Sequence, residues 1–187
     1  MNIYQSFTPD VVAALQSGAV GVIPTDTIYG IVAPLFNQAA VEKMYDLKNR
    51  ESNKRVGTIL ISDITQIDEY VDSEKLLRAE VLWPAPVSVE LPIVRGLHYA
   101  HRGNGTLAFR MPDDQSLLNL ISQTGPLASS SANLAAAPPA VNMQEALGTF
   151  REGVDFYVDG GDLSGRPPSK IIKILDNGEI EVIRGGK

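Results

Sequence analysis

The chain has 187 residues, 44% of them apolar and 20% charged, with a formal net charge of −6 and no cysteine. This length suits one compact domain with its own hydrophobic core, and the missing thiols exclude disulfides and thiolate metal sites. The acidic balance argues against a dedicated nucleic-acid binder; no apolar run approaches the about 20 residues that span a bilayer, and the opening residues lack the basic and apolar regions of a secretory signal, so a cytoplasmic setting is expected.

Thr8-Pro9-Asp10 reads as a helix start, with a hydroxyl at the N-cap, proline at N1 and an acid in the first turn. Val11, Val12 and Leu15 give that helix an apolar face, and Gly18 ends it. Residues 19–23 form a short β-rich run stopped by Pro24, and 31–35 form a second. Asn37 caps a helix with Val41, Met44 and Tyr45 at helical spacing. Residues 56–61 read as a buried strand, and 73–83 as a helix halted before Pro84.

In the second half, 87–91 and 106–111 are strand-like, and 114–124 is helical with Leu117, Leu118 and Ile121 on one side. Asn142 with Glu145 makes a capping-box pattern. Residues 154–158 read as a strand. The stretch 170–184 predicts a hairpin around Asp176-Asn177-Gly178. The fold class that follows is α/β: a single domain over 1–187, built on a twisted mixed sheet flanked by helices. The sheet must be mixed because the terminal hairpin is antiparallel, while the earlier alternation of strands and helices permits parallel pairing.

Several generic motifs come close and fail. Gly160-Gly161-Asp162-Leu163-Ser164-Gly165-Arg166-Pro167 nearly matches a phosphate-binding P-loop. It has arginine in place of lysine, proline in place of the magnesium-binding hydroxyl, and no room for the helix that must follow. Gly103-Asn104-Gly105 resembles part of a dinucleotide fingerprint, but a strand follows it, as after a hairpin turn. His98 and His101 lack the further ligands a metal site needs. Ser129-Ser130-Ser131 has no base placed by sequence to activate a nucleophile, and reads as a hydroxyl-rich, ligand-binding turn.

Charge is unevenly distributed. Residues 63–80 carry six acids against Lys75 and Arg78, whereas 95–110 carry three arginines, two histidines and no acid. Lys48, Arg50, Lys54 and Arg55 surround the single acid Glu51. Local basic segments in an acidic chain fit a small polyanion such as a nucleotide better than a long duplex. Thr25-Asp26-Thr27 follows a buried strand, where open α/β sheets place ligands. Lys48-Asn49-Arg50 closes a helix; its cations either complement the helix dipole or bind an anion. Arg110 lies within an apolar strand and needs a counter-charge, supplied by an anionic ligand or by Asp or Glu elsewhere in the chain. Ser131-Ala132-Asn133 offers hydroxyl and amide groups for backbone capping or for a ligand.

At these residues the sequence resembles the YrdC-like family of threonylcarbamoyl-AMP synthases. The marks, in order, are Ile23-Pro24-Thr25-Asp26-Thr27-Ile28-Tyr29-Gly30, Leu47-Lys48-Asn49-Arg50, Trp83-Pro84-Ala85-Pro86-Val87-Ser88, Leu107-Ala108-Phe109-Arg110-Met111-Pro112, Ser130-Ser131-Ala132-Asn133-Leu134 and Val158-Asp159-Gly160-Gly161. The resemblance implies a YrdC-like fold with a concave basic cleft, in which L-threonine, bicarbonate and ATP give threonylcarbamoyl-AMP and pyrophosphate. It implies Lys48 and Arg50 as catalytic cations, and Thr27, Arg110 and Ser169 as threonine contacts. Arg50, Lys54, Thr106, Ser131, Asn133 and Arg184 are implied nucleotide contacts. Mg2+ is expected to arrive with ATP rather than in a protein-held metal site. The expected partner is a threonylcarbamoyl transferase complex acting on tRNA, with at most weak RNA contact and no membrane. The sequence departs from the family's usual pattern at Ala135-Ala136 (usually Ser-Gly), Ser169-Lys170 (often Ser-Thr), Arg55 (usually proline) and Ala85 (usually glycine). Two other readings are a domain that adenylates a different carbamoyl donor and a non-catalytic RNA- or ribosome-binding factor on the same fold.

Overall fold

The computed structural model describes residues 1–49 and 56–185. In chain order these form β1 (Asn2–Tyr4), α1 (Pro9–Gln16), β2 (Gly21–Ile23), β3 (Gly30–Pro34), α2 (Gln38–Leu47), β4 (Thr58–Leu60), α3 (Ser73–Glu80) and β5 (Val87–Pro92). They continue with α4 (His98–His101), β6 (Thr106–Arg110), α5 (Gln115–Thr124), β7 (Leu127–Ser131), α6 (Met143–Phe150), β8 (Phe156–Val158), β9 (Lys170–Ile174) and β10 (Ile180–Arg184). Side-chain caps set most helix starts. Asn37 accepts from Ala40 N, Asp72 from Lys75 N, Asp114 from Ser116 N and Leu117 N, and Asn142 from Glu145 N. Among the described residues no helix is long and apolar enough to cross a membrane.

The strands make one mixed sheet in the order β1-β8-β2-β3-β7-β4-β6-β5-β9-β10. β8 runs parallel to β1 and β2; β4 pairs parallel with β6, and β5 with β9. The remaining pairs are antiparallel, including the β9–β10 hairpin.

Some expectations are corrected. Residues 129–131 are not a turn but the end of β7, a central strand between β3 and β4; serine carries little β-propensity, so only pairing on both sides identifies it. β1 and the short α4 also escape a periodicity reading, because each is about one turn or less of signal. The 73–83 helix stops at Glu80. Thr8 sits at the N-cap of α1, but its hydroxyl makes no capping bond and is buried without a partner. The connection from β5 to β6 is not a tight hairpin, since α4 lies within it.

Strand alternation sorts apolar side chains onto two sheet faces. Val22, Ile31, Ala33, Ile59 and Phe109 join the larger core with side chains of α2, α3, α4 and α6. Ile23, Val32, Leu60, Phe156 and Val158 form a second core with Val11 and Leu15 of α1 and Leu117, Leu120 and Ile121 of α5. The result is three layers, helix on sheet on helix. Packing beneath β2 is tight: a Cβ built on Gly21 would come within 2.2 Å of the Phe156 ring. Phe156 is 1% exposed and has nowhere to move. Gly21→Ala is therefore expected to lower unfolding free energy by about 1–3 kcal/mol, the usual cost of overpacking a core, read from the denaturant midpoint.

Candidate active site

The sheet face that carries α1 and α5 is lined elsewhere by hydroxyls and cations. Thr58 pairs in register with Ser129, and Leu60 with Arg110, which carries this face from the second core into a cleft. The cleft is lined by Thr25, Thr27, Tyr29, Thr58, Arg110, 129–131, Ser169 and Arg184, among others. Glycines let its strands close up. A Cβ on Gly57 would meet the Ser129 carbonyl at 2.8 Å, and one on Gly30 the Ser129 hydroxyl at 3.0 Å.

Arg110 is 4% exposed. Its Nη1 donates to Asp26 Oδ1 at 2.8 Å and lies 3.4 Å from Thr27 Oγ1, while its Nε is buried with no partner. Asp26 Oδ2 also accepts from Asp113 N at 3.2 Å. Burial pushes the Asp26 carboxyl above its ordinary range, and the attraction of Arg110 only partly opposes this. The counter-charge that the sequence left open is thus Asp26. It holds one side of the guanidinium, and the orphaned Nε–H is a donor still lacking its acceptor.

Thr25 and Thr27 fold into a local hydroxyl pair. Thr25 Oγ1 donates to Ile28 O at 2.7 Å, accepts from Thr27 N at 3.1 Å and lies 3.0 Å from Thr27 Oγ1. This Thr-turn after β2 fixes Thr27 beneath Arg110. Tyr29, fully buried, accepts from Gly160 N at 2.8 Å and donates to Gly161 O at 2.9 Å. The pseudo-P-loop glycines are therefore a turn held on the cleft wall, with no helix after them.

Lys48, the C-cap of α2, is 6% exposed. Its Nζ donates to Ser131 O at 2.5 Å, Asn133 O at 2.6 Å and Asn133 Oδ1 at 3.2 Å. Ser131 Oγ donates to the same Asn133 Oδ1, and Asn133 Nδ2 to Ala137 O, each at 2.6 Å. A buried ammonium thus ties down the turn that follows β7, and of the two alternatives for 131–133 the hydrogen bonds show the first, capping of backbone at the cleft's edge. Within this turn Ala136 has φ +65°, a conformation in which glycine carries no Cβ penalty.

The structure thus brings Thr27, Arg110, Ser131, Ser169 and Arg184 together around one cleft, with Lys48 and Asn133 behind its edge. Thr106 shares a strand face with Arg110, but four residues along β6 is about 13 Å. Its hydroxyl donates to Glu90 Oε1 at 3.1 Å, and it is not among the cleft-lining side chains. Arg50 and Lys54 lie outside the described residues. Sequence reasoning missed Thr58 and Ser88, small hydroxyls inside apolar strands. Polarity at a position otherwise fit for a core was the signal for Thr58, and Ser88 also closes the Trp83-Pro84-Ala85-Pro86-Val87-Ser88 motif without a role assigned to it. His101 Nδ1 accepts from Gly103 N and Gly105 N, a structural role. Among the described residues no group of three or more acidic or histidine side chains could hold a metal ion.

Comparisons with known proteins agree on one family. The family model described as "Telomere recombination", which groups Sua5, YciO and YrdC, matches residues 13–186. The threonylcarbamoyl-AMP synthase of Pseudoalteromonas translucida is 32% identical over 94% of this chain and 97% of its own. That of Idiomarina loihiensis is also 32% identical, over 88% and 91%. The crystal structure of P. abyssi Sua5 complexed with L-threonine superposes with a TM-score of 0.84 at 25% identity, covering 95% of this chain and 53% of that one, so the chain spans about half of that protein. E. coli YciO, 20% identical over 99% of this chain and 94% of its own, shares the fold with a TM-score of 0.81.

Proposed function

The chain belongs to the Sua5–YciO–YrdC family, and we propose that it is an enzyme, a nucleotidyltransferase that makes threonylcarbamoyl-AMP for threonylcarbamoyladenosine in tRNA. The observation that carries the proposal is Arg110: a buried guanidinium at the cleft, anchored on Asp26, with an Nε–H that has no partner. A carboxylate is the natural acceptor for such a group, and L-threonine is the amino acid bound to the Sua5 relative.

In the proposed reaction the amine of threonine takes up CO2 derived from bicarbonate, forming a carbamate and releasing a proton. A carbamate oxygen then attacks the α-phosphorus of ATP; the bond from that phosphorus to the β-phosphate oxygen breaks, and pyrophosphate leaves. Arg110, Thr27 and Ser169 hold threonine. Ser131, Asn133 and Arg184, together with Arg50, Lys54 and Thr106, are proposed to receive the nucleotide. Lys48 places a positive charge under the 131–133 turn, where it favours charge developing on the phosphates. No covalent nucleophile is needed, and Mg2+ is proposed to arrive with the ATP phosphates. The product passes to a transferase complex acting on tRNA.

The test is pyrophosphate release from ATP, with threonine and bicarbonate each omitted in turn. Release that requires both is the expected result. Release requiring neither, or threonine-independent turnover of carbamoyl phosphate, overturns the substrate assignment. No release, together with salt-sensitive RNA binding in the absence of ATP binding, replaces it with the binding-factor reading.

A further inference from the structure

Beneath the cleft a file of hydroxyls runs across three strands and ends at Ser169, and we propose that Ser88 is a positioning residue that aims the Ser169 hydroxyl at bound L-threonine. The proposal rests on Ser169 being a threonine contact. Ser88, on β5, is 0% exposed. Its Oγ lies 3.2 Å from Thr58 Oγ1 of β4 and 3.1 Å from Ser169 Oγ, just before β9. Arg184, from β10, donates through Nη2 to Ser169 O at 2.8 Å and to Ser169 Oγ at 3.3 Å.

Counting protons leaves the file two directions, and a bound carboxylate, which only accepts, favours one of them. Each hydroxyl has one hydrogen to donate and two lone pairs to accept with, whereas arginine only donates. Arg184 therefore occupies one lone pair of Ser169. If Ser169 gave its hydrogen to Ser88, one lone pair would remain, and Ser169 could accept from a ligand but not donate to a carboxylate. If Thr58 donates to Ser88 and Ser88 to Ser169, both lone pairs of Ser169 are filled and its hydrogen is left for the cleft. In that order Ser169 can only donate, so it selects an oxygen acceptor on the amino acid, a carboxylate or hydroxyl oxygen. Ser88 is sealed from solvent, and no water can take its place without rearrangement. Removing it frees Ser169 to rotate and to spend its hydrogen elsewhere.

The experiment is calorimetric titration of L-threonine into the wild type, Ser88→Ala, Ser169→Ala and the double variant, with thermal unfolding of each. The expected result is a Kd raised about fivefold to tenfold in Ser88→Ala, the scale of one hydrogen bond, and no further rise when Ser88→Ala is added to Ser169→Ala. An unchanged Kd, or the same factor in both backgrounds, overturns the proposal, since a merely structural defect does not depend on Ser169. Should Ser88→Ala fail to fold, Thr58→Val removes the first donor and must show the same dependence on Ser169. Absence of threonine binding by the wild type is a different failure: it overturns the threonine reading itself.

Discussion

Arg110→Ala is expected to raise the KM for L-threonine about a hundredfold, the upper scale for losing charged hydrogen bonds, with a smaller effect on the KM for ATP. It also costs stability, for a separate reason. The Asp26 carboxylate, 6% exposed as a side chain, loses its only ion-pair partner among the described residues. Breaking one side of a buried pair costs about 3–5 kcal/mol. The two effects separate in the double variant Asp26→Asn/Arg110→Ala, where the neutral amide can still accept from Asp113 N. Most of the lost stability returns, but threonine affinity does not. The pH dependence gives a further handle. Without Arg110 the folded-state pKa of Asp26 rises further above its unfolded value. A carboxyl raised in this way stabilises the fold below its unfolded pKa, and that contribution is lost as pH rises through the folded pKa. The stability gap between Arg110→Ala and wild type should therefore narrow as pH falls. A wild-type KM for threonine in Arg110→Ala would refute the site assignment and leave the fold unaffected.

Lys48→Ala is expected to lower kcat about a hundredfold and unfolding free energy by about 3 kcal/mol. The ammonium is buried and donates to two carbonyls and an amide oxygen of the 131–133 turn. Removing it leaves those acceptors without a charged donor and frees the turn proposed to carry the nucleotide. Single-turnover pyrophosphate release, measured over a range of ATP concentrations up to saturation, separates the roles. A slow chemical step with unchanged ATP affinity makes the lysine's field part of catalysis. Weakened ATP affinity with an unchanged chemical step makes the lysine an anchor of the nucleotide-binding turn. Wild-type kinetics on a destabilised protein would reduce its part to folding alone. Lys48→Arg is not expected to rescue, because a planar fork cannot aim donors at the three acceptors that a compact ammonium reaches.

The sequence by itself determined most of the elements and the family. Pro9, Asn37, Asp114 and Asn142 announce helix starts because caps are local chemistry, written within four residues. Strands such as β3 and β5 are legible from their β-rich runs, and the hairpin of β9 and β10 from Asp176-Asn177-Gly178. Thr27 and Arg110 were readable as cleft residues because each lies within a short motif of the family, and Ser169 through the resemblance as a whole.

Tertiary structure alone decided what those residues do to each other. Arg110 and Asp26 are far apart in sequence and meet only because the connection from β2 to β3, which carries Asp26, comes to the same cleft as the end of β6; sequence could require a counter-charge but not choose it. β7 looks like a turn until pairing with β3 and β4 satisfies its backbone on both sides. Lys48 reads as an exposed helix-end cation until the turn after β7 folds over it. Thr58 and Ser88 carry no assigned role inside their apolar strands until the sheet brings their hydroxyls into a file with Ser169. The reason is common to all four: caps and turns are settled by neighbours along the chain, whereas burying a charge or a hydroxyl is settled by whichever distant partner the sheet brings within about 3 Å.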